Sequence, residues 1–246
     1  MTKKQWIGIT LCVCLMLGMA FVTVYAQPAA PKTIKIGVMI SLTGPDAAIG
    51  KPAKDGYEMA AAKFNKDGGV FVKQYGKKIP LEISILDMET NHEKAIARAE
   101  AFNQQGATVV CGTTMMSGSS DVFEKNKLPA ITSLVTNVGL WERGFKYYLG
   151  LSKLNDGIIN AIFGAFGKIP KDERPTKWAM WQEQTDWIAE MFNLAKEKAA
   201  AAGITFVSHN NYQVLTPDMS KLILEAKKAG AEVVFSGPVP PDCITM

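Results

Sequence analysis

The sequence predicts an α/β protein built as two Rossmann-like lobes with parallel sheets, the second of them incomplete. Two observations carry this. From Lys32 onward, short β-branched apolar runs alternate with longer segments of helical period, the rhythm of a parallel sheet covered by helices. After a break around Thr136–Lys146 the same rhythm resumes, so the chain repeats its build once. The boundaries follow as 1–26 for an N-terminal address, 27–152 for the first lobe and 153–246 for the second.

The address comes first. Lys3 and Lys4 precede an apolar run from Trp6 through Val24, which closes on Val24-Tyr25-Ala26 before Gln27-Pro28. A basic start, an apolar middle and a small-x-small end describe a cleavable secretory signal, cut after Ala26. The apolar stretch is nearly long enough for a membrane anchor, the alternative, but the Pro-Ala-Ala-Pro that follows favours removal. Export predicts a periplasmic protein. Outside the signal, only Cys111 and Cys243 remain, in segments assigned to different lobes, which predicts two buried free thiols instead of a disulfide.

Strands are expected at Ile34–Ser41, Leu81–Met88, Thr108–Gly112, Ala130–Ser133, Tyr147–Leu151, Trp178–Trp181, Ile204–Ser208 and Glu232–Ser236. Helices are expected at Pro52–Asn65, His92–Gln105, Ser117–Lys127, Asp156–Phe166, Thr185–Ala202 and Asp218–Ala229. Ile188, Met191, Phe192 and Ala195 show the one-sided spacing. Gly106, Gly203 and Gly230 stand where a helix closes through a left-handed residue. Two such sheets facing each other leave a cleft at the carboxyl ends of their strands, where open parallel sheets bind ligands.

Composition excludes several functions. The net charge is +4, and removing Lys3 and Lys4 from 27 basic residues leaves 25 against 23 acidic ones. That balance, without Lys/Arg stripes, carries no electrostatic footprint for nucleic acid. Ser41 to Pro52 looks like a phosphate loop, but Gly44 and Gly50 are one residue too far apart and Pro52 replaces the magnesium-holding hydroxyl. His92-Glu93 opens like a zinc-protease helix, yet Ile96 stands where the second imidazole belongs. Ser117 lacks the glycine two residues before it that a nucleophile elbow needs, and no base relates to it. Asp87 and Glu89 read as a polar loop after a strand, and His209 as a strand-end residue. Neither a metal, a cofactor nor an enzyme activity is expected.

Ile36-Gly37-Val38-Met39-Ile40-Ser41-Leu42-Thr43-Gly44-Pro45, Gly56-Tyr57-Glu58-Met59-Ala60 and Gly68-Gly69-Val70 open a longer ordered pattern. It continues through Leu86-Asp87-Met88, Val109-Val110-Cys111-Gly112, Leu128-Pro129-Ala130-Ile131 and Ala229-Gly230-Ala231-Glu232-Val233-Val234-Phe235. This set resembles the branched-chain amino-acid-binding family of periplasmic solute-binding proteins that serve ABC importers. The resemblance implies a type I periplasmic binding fold that closes on ligand by a hinge motion. It also implies a longer chain, whose later second-lobe elements and return to the first lobe fall beyond Met246, with apolar helix faces left uncovered here.

In that family a Ser/Thr hydroxyl and backbone N–H groups after the third strand hold the ligand carboxylate. The matching loop here leaves Thr113, Thr114 and Ser117 as alternatives. The next loop, Ser133–Asn137, matches the segment meeting the ligand's amino group, with Val135 and Thr136 as candidates. Ile49 stands where relatives often carry an aromatic. Trp181 and Trp187 are placed to stack on an apolar ligand or else to pack in the core, Trp178 is assigned to the core, and Met115 and Met116 read equally as a cleft wall or as gap filler. The implied partners are an amino acid or a small apolar or aromatic carboxylate and a membrane permease. The alternative is the ligand-sensing module of a signalling system.

Overall fold

The computed structural model describes residues 29–113, 117–238 and 242–246, with the side chains of Ser117, Asp186 and Trp187 outside the description. The expected signal segment lies outside the described residues, as do Thr114, Met115 and Met116.

Five strands make the first sheet: β1 (Ile34–Ile40), β4 (Leu81–Asp87), β5 (Val109–Gly112), β6 (Ala130–Thr132) and β7 (Tyr148–Gly150). They are all parallel, in the order β4-β1-β5-β6-β7. Between β1 and β4 come α1 (Ala47–Lys66) and a small antiparallel hairpin, β2 (Val70–Val72) with β3 (Lys77–Ile79). Helices α2 (His92–Gln104), α3 (Ser117–Asn126) and α4 (Val138–Trp141) occupy the later connections.

Strand alternation sorts the helices onto two faces. Met39, Val110, Ala130 and Tyr148 share one buried cluster with Ala95, Ala99 and Phe102 of α2 and Phe123 of α3. Cys111 points the other way, toward Tyr57 of α1, and burial with this neighbour raises the Tyr57 hydroxyl to about 12. On that second face Leu149 is 47% exposed and Met59 and Phe64 of α1 are largely uncovered.

The second sheet is β10 (Val233–Ser236), β8 (Lys177–Glu183) and β9 (Thr205–Tyr212), in that order and parallel. Trp178 and Met180 face α5 (Asn155–Phe166) and α6 (Asp186–Ala201). Ala179 and Trp181 face α7 (Ser220–Lys228), and a last short helix, α8 (Asp242–Thr245), follows β10. The Trp178 indole is ringed by Phe163, Phe166, Phe206 and Phe235 at centroid distances of 5.4–6.3 Å. The core role expected of it is what the fold gives it.

The expected strands and helices are all present, most of them within two residues of the expected bounds. Gly106, Gly203 and Gly230 carry φ of 68°, 72° and 71°, the left-handed closure anticipated for them. Three expectations need correction. Helix α1 begins at Ala47, five residues before Pro52; Ala48 and Pro52 are both exposed, so water can take the carbonyl that the proline leaves without a donor. Strand β8 runs two residues past Trp181, which therefore lies inside the strand and not at its end. Cys111 and Cys243 form no disulfide, but Cys111 is only half-buried and Cys243, on α8, is exposed.

Candidate functional site

The order β4-β1-β5 makes the space between β1 and β5 the switch point of the first sheet: the turn after β1 leads to α1 on one face and the turn after β5 leads to α3 on the other. Loops that part in this way leave a crevice at the carboxyl edge.

The turn after β1 is fixed by contacts too close for chance. A Cβ on Gly50 would stand 1.8 Å from the Ser41 carbonyl oxygen, so the start of α1 rides directly on the end of the strand. Gly44 has φ of 81° and packs on the Glu89 carbonyl. Asp87 holds the same turn from the neighbouring strand. Its Oδ1 accepts from the N–H groups of Leu42 and Glu89, both at 2.8 Å, and its Oδ2 from the Thr43 hydroxyl at 2.8 Å. Asp87 reads in the sequence as part of a polar loop after a strand; in the fold it is the buttress of that loop, a role invisible while β1 and β4 are not known to pair.

Burial alone would raise the Asp87 carboxyl, but the donors from Glu89, Leu42 and Thr43 outweigh it and hold the group below its ordinary 3.8. A depressed folded value means that the stabilisation is present above pH 3.8 and fades as pH falls through the lower, folded value. Asp87→Asn is therefore expected to cost about 1 kcal/mol at neutral pH, a loss that shrinks in acid. Thermal unfolding of both forms as a function of pH checks this, and a gap that widens below pH 3.8 contradicts it.

At the end of β5, Thr113 is 6% exposed, and its hydroxyl has no hydrogen-bond partner among the described residues. Its carbonyl is well used, accepting from the Thr132 hydroxyl at 2.8 Å and from the Leu134 N–H at 3.0 Å, which locks the turn after β5 to the turn after β6. Ser119, in the first turn of α3, is fully buried with a second hydroxyl that has no partner among the described residues. Ser117 opens the same helix. Sequence reasoning did not single out Ser119; its place in a Ser-Gly-Ser-Ser helix start was the available signal.

Thr136 is half-buried beside these turns, and its carbonyl accepts from the Asn155 N–H at 2.8 Å. Val135 turns its side chain into the first core, which leaves only its backbone for the crevice. Ile49 lies half-buried in the first turn of α1. The structure thus gathers Thr113, Ser117, Val135, Thr136 and Ile49 along the carboxyl edge of one sheet. It does not bring Trp181 to them: its ring is 4% exposed and packs with Tyr212, Met219 and Leu222 against α7. Trp187 lies in the first turn of α6, its side chain outside the description.

His92 is exposed at the start of α2, and its ring lies against Gly118. His209 sits within β9, not at its end, bonded to Gln182 Oε1 at 3.0 Å; burial and Lys196 lower its pKa. A cavity of about 300 Å³ lies at the opposite, amino-terminal edge of the first sheet, lined by Lys35, Gly37, Ser84, Phe102 and Gln105. That is the wrong end of the strands for a switch-point ligand. Among the described residues no cluster of His, Cys, Asp and Glu could hold a metal ion.

The periplasmic binding protein family model matches residues 33–246. The chain belongs to that family. Among curated relatives, it is 29% identical over 221 residues to a Leu/Ile/Val-binding protein homologue of Brucella melitensis, covering 87% of this chain and 57% of the relative. It is 26% identical to a leucine-, isoleucine-, valine-, threonine- and alanine-binding protein of Pseudomonas aeruginosa, with 93% and 60% covered. The chain therefore spans little more than half the length of these relatives. Its fold is shared with an ABC-transporter solute-binding protein of Rhodopseudomonas palustris solved with 4-hydroxybenzoate, at TM-score 0.70 and 18% identity, covering 87% of this chain and 56% of that one. A branched-chain amino-acid-binding protein of Streptococcus pneumoniae solved with isoleucine matches at TM-score 0.69 and 19% identity, with 83% and 57% covered. Both neighbours confirm the type I periplasmic binding fold expected from the sequence.

Proposed function

We propose that the chain is the extracytoplasmic solute-binding component of an ABC importer, which captures an amino acid or a small apolar or aromatic carboxylate between its lobes and presents it to a membrane permease. It acts by binding and closure, with no chemical step. The observation that carries this reading is the Thr113 hydroxyl, buried at the switch point with no partner among the described residues. An unmet hydroxyl costs about 1–3 kcal/mol, which a carboxylate accepting from it would recover, and the start of α3 alongside favours the same negative charge. Thr113, Ser117 and Ser119 are assigned to the carboxylate, Val135 and Thr136 to the ligand's polar remainder, and Ile49 to its apolar body. The relatives and neighbours support the ligand class, since their names and bound molecules are small amino acids, most of them branched-chain, and a hydroxybenzoate.

The test is calorimetric titration of the chain with isoleucine, leucine, 4-hydroxybenzoate and, as a control, the uncharged amide 4-hydroxybenzamide. A saturable heat for at least one carboxylate and none for the amide is expected; saturable heats of equal size for 4-hydroxybenzoate and 4-hydroxybenzamide, or no heat for any of the carboxylates, would exclude the assigned carboxylate site.

A further inference from the structure

The two lobes are joined by more than the covalent crossover from β7 to α5. Glu190 lies on α6, whose core contacts are with the second sheet. Its carboxylate reaches across to the first lobe. The Val138 N–H donates to Oε1 at 3.0 Å and to Oε2 at 3.1 Å, and the Gly139 N–H donates to Oε1 at 3.2 Å. The Asn155 side-chain amide completes the set, donating to Oε2 at 2.7 Å.

Asn155 is fully buried and sits at the start of α5, where its own N–H donates to the Thr136 carbonyl at 2.8 Å. The segment Thr136–Gly139 is thus held twice, at the Thr136 carbonyl by Asn155 and at the next N–H groups by Glu190. Among the described residues no Lys or Arg forms an ion pair with Glu190; its charge is met by amide donors alone. Hydrogen bonds to an ionised acceptor are about twice as strong as neutral ones, and a half-buried carboxylate stripped of its donors pays for its desolvation. Both facts make the arrangement hard to open without a replacement acceptor.

We propose that Glu190 is a positioning residue that ties the Thr136 loop of the first lobe to the second lobe. It makes the relative placement of the lobes and the geometry of that loop one property instead of two. The part of this inference that concerns ligand geometry rests on the reading of Ser133–Asn137 as a ligand loop; the tie itself does not.

Two variants of the full chain test it. Glu190→Ala removes both acceptor oxygens. Val138→Pro removes the main donor while suiting the first position of α4, where a fixed φ is accommodated and an extended residue, Asn137, precedes. Hydrogen exchange resolved to single amides, with small-angle scattering for lobe separation, is read without ligand. Exchange at Gly139 is expected to rise at least tenfold in both variants, with a larger radius of gyration and unchanged exchange at Ala179 and Met180 in β8. Unchanged exchange at Gly139, or equal acceleration at Ala179 and Met180, overturns the tie. Titration with isoleucine and 4-hydroxybenzoate is scored separately: a parent chain that binds neither refutes the proposed function, whereas the exchange result still decides the role of Glu190.

Discussion

Gly50→Ala is expected to lower the stability of the first lobe by about 3 kcal/mol or more, at the upper end of what overpacking costs. The added methyl would stand 1.8 Å from the Ser41 carbonyl oxygen and 2.6 Å from its carbon, and both are backbone atoms at the end of a central strand. No side-chain rotation relieves such a contact. Either α1 slides away from β1, or the turn from Ser41 to Asp46 abandons the Asp87 anchor. Gly56, six residues on in the same helix, is the matched control: a Cβ there meets nothing within 4 Å. Gly56→Ala is expected to stabilise by about 0.5–1 kcal/mol, the ordinary cost of a glycine inside a helix. Thermal unfolding of the two variants should therefore move in opposite directions; a Gly50→Ala variant as stable as the parent would mean that the strand end and the helix start do not touch.

The strands were legible because their β-branched runs are short and bounded by turns, and the long helices because their apolar residues recur on one face. The β2–β3 hairpin escaped notice for a physical reason. Strands of three residues are too short to show a period, although Gly68-Gly69, with φ of 87° and 100°, and Gly76 at 63° mark its turns. Pro52 misled by looking like a first helical position, when the real start was set by the Gly50 approach to Ser41, a tertiary fact. Trp181 was ambiguous only while β8 was taken to end there. Thr113, as one of three alternatives, and Thr136 were singled out through the order of motifs. Glu190 could not be found in that way: it lies 52 residues from Val138 and reads as a polar position on an amphipathic helix, so only the folded crossover reveals its partners.

Thr113→Val separates a ligand-binding hydroxyl from a structural one more sharply than any other substitution at the crevice. The hydroxyl is buried and makes no hydrogen bond among the described residues, so an isosteric methyl in its place forfeits none of the bonds seen there and removes a buried polar atom. Stability should hold or rise. Binding should do the opposite, because a hydrogen bond to a charged acceptor contributes about 1.5–3 kcal/mol, which is roughly a 10- to 100-fold change in Kd. The measurement is the Kd of the parent and of Thr113→Val for whichever of isoleucine, leucine and 4-hydroxybenzoate the parent binds, with the melting temperature of each protein taken alongside. The account predicts a Kd weakened at least about tenfold at an equal or higher melting temperature. An unchanged Kd would contradict it and place the carboxylate somewhere other than the turn after β5.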